Sequence, residues 1–334
     1  MKLSAHTSND NKYGGEQMTN EAPKVAVITG PTATGKTALG VLLAKELNGE
    51  IVSADSMQVY RRMDIGTAKV TSEEMQGIPH HMIDIAEPSE AYSVARYVKE
   101  ADACVQDILN RGKLPIIVGG TGLYIDSLVA GRDFCDISSD RAFRLELDSR
   151  YDSLGGEKLL DELRAIDPQR AKKLFPSDKN RILRALEVYH TTGRTITEHD
   201  EETQRLPKRY NAAVIALSFE NRADLYARID ARVELMVQAG LFDEVRSILE
   251  SGVPEKCTSM QAIGYKEAAL ALREEISEDE AIEIIKQESR RYAKRQLTWL
   301  RRKETIGWIL WNTVPDFEFA RQFSTNFLLF NGLK

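Results

Sequence analysis

Gly30, Pro31, Thr32, Ala33, Thr34, Gly35, Lys36 and Thr37 follow the spacing G-x-x-x-x-G-K-[ST]. The glycines let backbone N–H groups turn inward around phosphate oxygens, and a helix starting near Lys36 aims its positive end at the same anion. Lys36 supplies neutralising charge, and the Thr37 hydroxyl suits magnesium, a hard cation that prefers oxygen ligands. An ordinary glycine turn is the bland alternative. The apolar run Lys24 to Thr29 before the loop and the helical pattern Ala38 to Leu47 after it favour phosphate. The motif alone leaves open whose phosphates are held.

Asp55 opens the segment DSMQVY, just beyond a second apolar run, Ile51 to Ser53. Ligands of open α/β sheets lie at the carboxyl ends of strands, so Asp55 should face the phosphate loop. There it could bind magnesium or act as a general base. An Asp-Ser pair serves equally well as a helix N-cap, and spacing does not choose between them. Gly119-Gly120-Thr121-Gly122 follows LPIIV at another expected strand end. Backbone can approach a ligand closely there and Thr121 offers a hydroxyl, or the chain simply turns. His80 and His81 are adjacent, so on an extended chain they point to opposite faces, which argues for structural or substrate contacts over a shared metal.

Between Lys286 and Lys303 there are eight basic residues and one acidic residue, Glu288. At about 100° per residue, Arg291, Lys294, Arg295, Thr298, Arg301 and Arg302 fall on one helical stripe, with Ile282, Ile285, Ala293 and Leu300 opposite. In a chain of net charge −6, so concentrated a positive face suggests a polyanion. A merely solvated face would carry more acidic partners.

The elements that must hold these residues form an α/β pattern. Strands alternating with helices imply βαβ units and a parallel sheet, here over 23–136. Strand signals vanish over 137–205, an expected helical insertion; Ala212 to Phe219 restores the sheet, and 206–314 completes the core. His81 to Ile85 and Thr305 to Trp311 are further candidate strands, while 1–22 and 315–334 read as tails. The 334 residues, 42% hydrophobic and 29% charged, suit a soluble globular protein. No apolar run approaches the roughly 18–20 residues of a membrane span. Cys104, Cys135 and Cys257 are too scattered for a disulfide framework or zinc site, which favours a reducing cytoplasm.

Seven segments in chain order, GPTATGKT, DSMQVYRRMDIGTAK, PHHMID, IIVGGTGLY, RALEVY, IGYKE and YAKRQLTWLR, resemble the tRNA dimethylallyltransferase (tRNA isopentenyltransferase) family over about residues 23–302. The resemblance implies a P-loop kinase-like core with a helical insertion that grips the anticodon stem. It implies transfer of a dimethylallyl group from dimethylallyl diphosphate to the exocyclic amine of the adenosine 3′ of the anticodon. Gly30 to Thr37 would then hold the donor's diphosphate, with magnesium on Thr37. Lys36 and Arg295 would stabilise the departing charge, Asp55 would accept the amine proton, and Thr121 would sit in the reaction channel. Asp55, Ser56, Met57, Gln58 and Thr121 would also meet the tRNA. The same holds for Arg144, Asn180, Arg181, Ile182, Leu183 and Arg184 in the insertion, and for Gln261, Ala262, Ile263, Gly264, Tyr265 and Lys266 in the core. Lys294, Arg295, Gln296, Leu297, Thr298, Trp299, Leu300 and Arg301 would complete that surface. A cytoplasmic monomer without a membrane partner is expected. Two departures stand out: no zinc-finger extension follows the basic helix, which suggests a bacterial or organellar type, and residues 1–22 match nothing in the family. A P-loop kinase, which needs an arginine lid and a nucleotide-base pocket, and a non-catalytic RNA-binding protein are the competing readings.

Overall fold

A computed structural model describes residues 22–132, 140–303 and 305–333. The expected N-terminal tail, apart from Ala22, the insertion boundary at 137, and Cys135 lie outside these residues. The chain begins β1 (Lys24–Thr29), α1 (Lys36–Glu46), β2 (Gly49–Ser53), α2 (Ser72–Met75), β3 (His80–His81), α3 (Val94–Asn110), β4 (Leu114–Gly119) and α4 (Gly122–Ala130). Helices α5 (Arg141–Leu154), α6 (Gly156–Ile166), α7 (Pro168–Ala171), α8 (Lys179–Thr192) and α9 (Ile196–Arg205) then follow one another. The sheet resumes with β5 (Asn211–Phe219), followed by α10 (Arg222–Gln238), α11 (Leu241–Glu250), α12 (Tyr265–Leu272), α13 (Glu278–Leu300), β6 (Gly307–Trp311) and α14 (Phe317–Phe330).

The six strands lie in the order β3-β2-β4-β1-β5-β6, every pair parallel. Helices cover both faces, which is why β1 and β4 are near-continuous apolar runs and not alternating ones. Along β1, Val25 and Val27 enter the core on one face, and Ala26 and Ile28 the core on the other. Each large aliphatic side chain so buried contributes about 1.5–3 kcal/mol. The pairing of Thr29 with Gly119 and of Ser53 with Val118 aligns the ends of β1, β4 and β2. Three loops therefore leave the sheet side by side, and these carry Lys36, Asp55 and Thr121.

β3 is shorter than the expected His81 to Ile85 strand, because Met82 (φ 66°) and Asp84 (φ 55°) leave the extended region. His81 Nε2 lies 2.8 Å from Glu50 Oε2, and Arg111 and Lys113 also donate to this buried carboxylate. The Arg111 guanidinium holds Glu50 well below the usual carboxylate range despite its burial. His81 is thus tied to the sheet through the Glu50 carboxylate.

Residues 317–330, expected as a tail, form α14, which packs on α1. Its inner face is Ala320, Ser324 and Leu328, flanked by Phe317, Phe323 and Phe327, which pack against the same core. Between α4 and β5, helices α5 to α9 enclose their own core of Leu147, Leu159, Leu160, Leu163, Ile182 and Leu186. Buried Asp167 caps α7 through the Arg170 N–H (2.9 Å) and accepts the Thr197 hydroxyl (2.6 Å), tying α7 to α9.

Candidate active site

The phosphate loop owes its shape to glycines at two points. At Gly30 (φ 144°) a Cβ would stand 2.3 Å from the Leu217 carbonyl oxygen on β5, and Gly35 (φ 85°) takes the left-handed turn before α1. Lys36 Nζ donates to the Pro31 carbonyl (2.7 Å), as does the Thr34 hydroxyl (2.8 Å). Trp311 Nε1 donates to the Thr34 carbonyl (3.0 Å), and the Phe317 ring closes against Gly35, so β6 and α14 brace the loop from outside. From inside, Gln296 of α13 accepts the Thr32 N–H (3.1 Å) and donates to the Gly120 carbonyl (3.0 Å). One side chain thus stitches the phosphate loop to the second glycine loop.

Asp55 answers to both of its readings. Its Oδ1 accepts the N–H groups of Met57 (2.9 Å) and Gln58 (3.3 Å), a capping turn. The residue also lines two cavities. The first, about 600 Å³, is walled by Lys36, Thr37, Arg232, Tyr292 and Gln296, with Ile51, Val70, Ile83 and Met236 giving it an apolar part. The second, about 310 Å³, is lined by Ser56, Met57, Gln261 to Gly264, and Arg295. Thr32, Asp55, Thr67, Arg232, Met236 and Tyr292 belong to both, so Asp55 stands where the two spaces meet.

Two cations, Lys36 and Arg232, stand near Asp55 at this junction. Burial, then the Arg232 charge, lowers the Lys36 ammonium to about 7, against the pull of Asp55. Arg232 is likewise lowered by burial and supported by Asp55 and Glu74. Burial and the Asp55 charge push the Tyr292 phenol up to about 12, which keeps it a neutral donor. An anion entering here would favour the charged forms of both groups. Among the described residues no group of three or more His, Cys, Asp or Glu could hold a metal.

A family model described as IPP transferase matches residues 58–303, and a second, described as isopentenyl transferase, matches 23–90. The chain belongs to the IPP transferase family. It is 48% identical over 302 residues, 90% of this chain and 96% of the relative, to a tRNA dimethylallyltransferase of Caldanaerobacter subterraneus subsp. tengcongensis. It is 50% identical over 285 residues, 85% of this chain and 90% of the relative, to one of Geobacillus thermodenitrificans. The crystal structure of a tRNA isopentenylpyrophosphate transferase from Bacillus halodurans is similar at a TM-score of 0.68, with 43% identity over 92% of this chain and 97% of that one. A eukaryotic dimethylallyltransferase captured acting on tRNA gives 0.74 at 31% identity, over 92% of this chain and 78% of that one. Family membership makes the protein a prenyl-transferring transferase and removes the kinase and passive-binder readings.

Within this transferase, several residues stand elsewhere than the sequence suggested. Thr121 is absent from the walls of both cavities; its hydroxyl accepts the Ser56 N–H (3.1 Å) and steadies the turn that carries Asp55. Arg295 lines the second cavity, its guanidinium 5.5 Å above the Tyr292 ring, so the cation beside Lys36 is Arg232. Gln296, expected on the RNA surface, is buried behind the phosphate loop, and Leu300 is buried in the core. Trp299 is half-buried, its indole N–H on Asp126 (2.7 Å). Tyr265 is fully buried, donating to Glu244 (2.6 Å), and Ala262 is buried beside it; Ile182 and Leu183 belong to the insertion core. Their side chains are committed to packing, which leaves Asn180, Arg181 and Arg184 exposed in that block. The predicted basic stripe, from Arg291 to Arg302, is exposed at all six positions.

Arg232 escaped the sequence reading, as did Arg228, whose Nε donates to the Ala33 carbonyl (3.3 Å). The signal was present: the two arginines are four apart and flank the buried stripe Leu225, Ile229 and Val233 of α10. Tyr292 and Gln296, also four apart, flank Ala293 on α13 in the same way.

Proposed function

We propose that this protein transfers the dimethylallyl group of dimethylallyl diphosphate to the exocyclic amine of the adenosine 3′ of the anticodon in tRNA. The position of Asp55, at the junction of a cavity walled by the Gly30 to Thr37 loop and a second opening, carries this reading. The diphosphate lies in the loop Gly30 to Thr37 with its allyl tail along the apolar wall. The base leaves the anticodon-loop stack and enters through the second cavity, as enzymes acting on bases require. The amine nitrogen attacks the allylic carbon, the C–N bond forms, and the C–O bond to diphosphate breaks. The proton of the nitrogen passes to the Asp55 carboxylate, or is held there by a hydrogen bond until it leaves.

That amine is a weak nucleophile because its lone pair is delocalised into the ring, so orientation and leaving-group stabilisation contribute much of the acceleration. Lys36 and Arg232 neutralise the diphosphate as charge builds on it. Thr37, which lines the first cavity beside Lys36, would hold a magnesium ion entering with the diphosphate. When bound, that ion adds positive charge against the leaving group. The exposed stripe on α13 and the insertion arginines hold the stem backbone. No helix among the described residues is long and apolar enough to cross a membrane.

Incubating the protein with an anticodon stem-loop, magnesium and labelled dimethylallyl diphosphate tests the reading. Label in the RNA is the expected result; binding without label would overturn it.

A further inference from the structure

Besides Asp167, whose oxygens are taken up by the α7 cap and Thr197, the insertion buries a second carboxylate, Glu187. Glu187 is 3% exposed, on the stretch of α8 whose Leu183, Leu186 and Val188 are buried. Its Oε2 accepts from Arg184 Nη1 at 3.1 Å, and Arg144 Nη1 stands 3.8 Å away. Among the described residues its Oε1 has no hydrogen-bond partner. Arg144, on α5, also donates through Nη2 to Asn180 Oδ1 (2.9 Å) and through Nε to Asp148 (3.4 Å). The carboxylate therefore gathers residues of two helices, Arg144, Asn180 and Arg184, on one side of the insertion.

Stability gives little reason for a carboxylate here. Well-packed apolar residues in place of a buried ion pair are often neutral or stabilising, and half of this carboxylate is unpaired. Its effect on the arginines is more telling. The Arg184 side chain is 45% exposed and uses only Nη1 on Glu187 among the described residues, so the rest of its planar fork stays available. A guanidinium held at one nitrogen keeps the geometry that a phosphate needs for two parallel bonds, and loses less freedom when it binds.

We propose that Glu187 is a positioning residue for RNA, holding Arg184 and steering Arg144 so that their free N–H groups meet backbone phosphates of the anticodon stem. This rests on the proposed grip of the insertion on tRNA. The test compares Glu187→Gln, Glu187→Asp, Arg184→Ala and the double variant Glu187→Gln/Arg184→Ala in the full-length protein. Stem-loop affinity, KM for each substrate, kcat and the thermal midpoint are measured for each.

Glu187→Gln should weaken stem-loop binding and raise its KM about five- to tenfold, the scale of a charge-assisted contact. The kcat and the donor KM should stay the same. Glu187→Asp, which keeps the charge, should recover part of the loss. In the Arg184→Ala background the Gln change should cost almost nothing more, because both act through one contact. Unchanged affinity, tighter binding, losses that multiply independently, or a fall in kcat would each overturn the proposal. If Glu187→Gln lowers the thermal midpoint, Glu187→Met, which packs without charge, must show the same rise in stem-loop KM. If Arg184→Ala leaves stem-loop binding intact, the grip itself fails; if it weakens binding while the Glu187 variants do not, only the positioning role fails.

Discussion

On the proposed reading, the donor cradle and the insertion solve related problems, holding phosphate, with different materials. In the cradle, backbone does most of the holding: Gly30 and Gly119 lie so close to neighbouring carbonyls that any side chain would collide, at 2.3 Å and 2.2 Å from Leu217 O and Ala54 O. Strand ends fix those positions, and Lys36 and Arg232 add charge to a frame already in place. In the insertion, charged side chains standing on helices do the work, and their geometry depends on neighbours such as Asn180 and Glu187. A backbone-built site concentrates its chemistry in a few irreplaceable atoms, whereas a side-chain-built grip spreads affinity over many replaceable ones. Substitutions in the two regions should therefore differ in kind as well as size.

The sharpest break of that contrast comes at Asp55. Asp55→Asn keeps an oxygen for the Met57 and Gln58 N–H groups but removes the proton acceptor. Transfer should fall about 10²–10⁴-fold, the range for loss of a general base, while stem-loop affinity stays within about twofold. Matched losses in turnover and affinity would show that the turn, and not the base, was removed.

Lys36 gives the next effect. Lys36→Ala should lower turnover about 10²–10³-fold, as for other groups that stabilise developing charge. Its ammonium, lowered to about 7 by burial and Arg232, also makes a pH prediction. Above that pH the empty site holds mostly neutral lysine; diphosphate favours the charged form, so binding must take up a proton. Donor affinity should then fall by up to about tenfold per pH unit above 7, with proton uptake visible calorimetrically in buffers of different ionisation enthalpy. Lys36→Arg should flatten this dependence, because arginine stays charged. A flat wild-type profile would show that Lys36 is already protonated in the empty cradle.

The same contrast explains what could be read from sequence. The phosphate loop, the second glycine loop and the alternating core were legible because steric demands admit few residue types. The basic stripe of α13 was legible because charge opposite Ala293 and Leu300 repeats at helical spacing. Arg232 and Tyr292 were missed, and Gln296 was assigned to the RNA surface, because at or beside a buried stripe packing decides whether a side chain turns to the core, the cavity or water. Helix α14 was read as a tail although Phe317, Phe327 and Leu328 recur at helical spacing, a stripe broken in the middle by Ala320 and Ser324. Sequence motifs also blurred function with packing: IGYKE and RALEVY contain Tyr265 and Leu186, which are core residues.

Gly119→Ala tests the backbone side directly. The new methyl would meet the Ala54 carbonyl at 2.2 Å, and overpacking of this kind costs about 1–3 kcal/mol. The urea midpoint should drop, and turnover with it, because Ala54 precedes Asp55 and both would be displaced. An unchanged midpoint would mean that the glycine loop can yield, and that the cradle is softer than its close approach implies.

The smallest expected effects test the side-chain grip. Arg301 and Arg302 are exposed at the end of α13, and Arg302 lies outside the segment matched to the tRNA surface by resemblance. Each alanine substitution removes about one phosphate contact if the stripe tracks the backbone, so the slope of log affinity against log salt should flatten by about 0.7–0.9. Affinity at moderate salt should fall only a few-fold, and kcat should not change, because neither side chain lines a cavity that holds Asp55. The slope separates the cases better than affinity does, since a lost shape contact lowers binding equally at every salt concentration. A full loss of slope at one position would mean that the grip is concentrated in a single cation. The insertion and the cradle would then be more alike than their construction suggests.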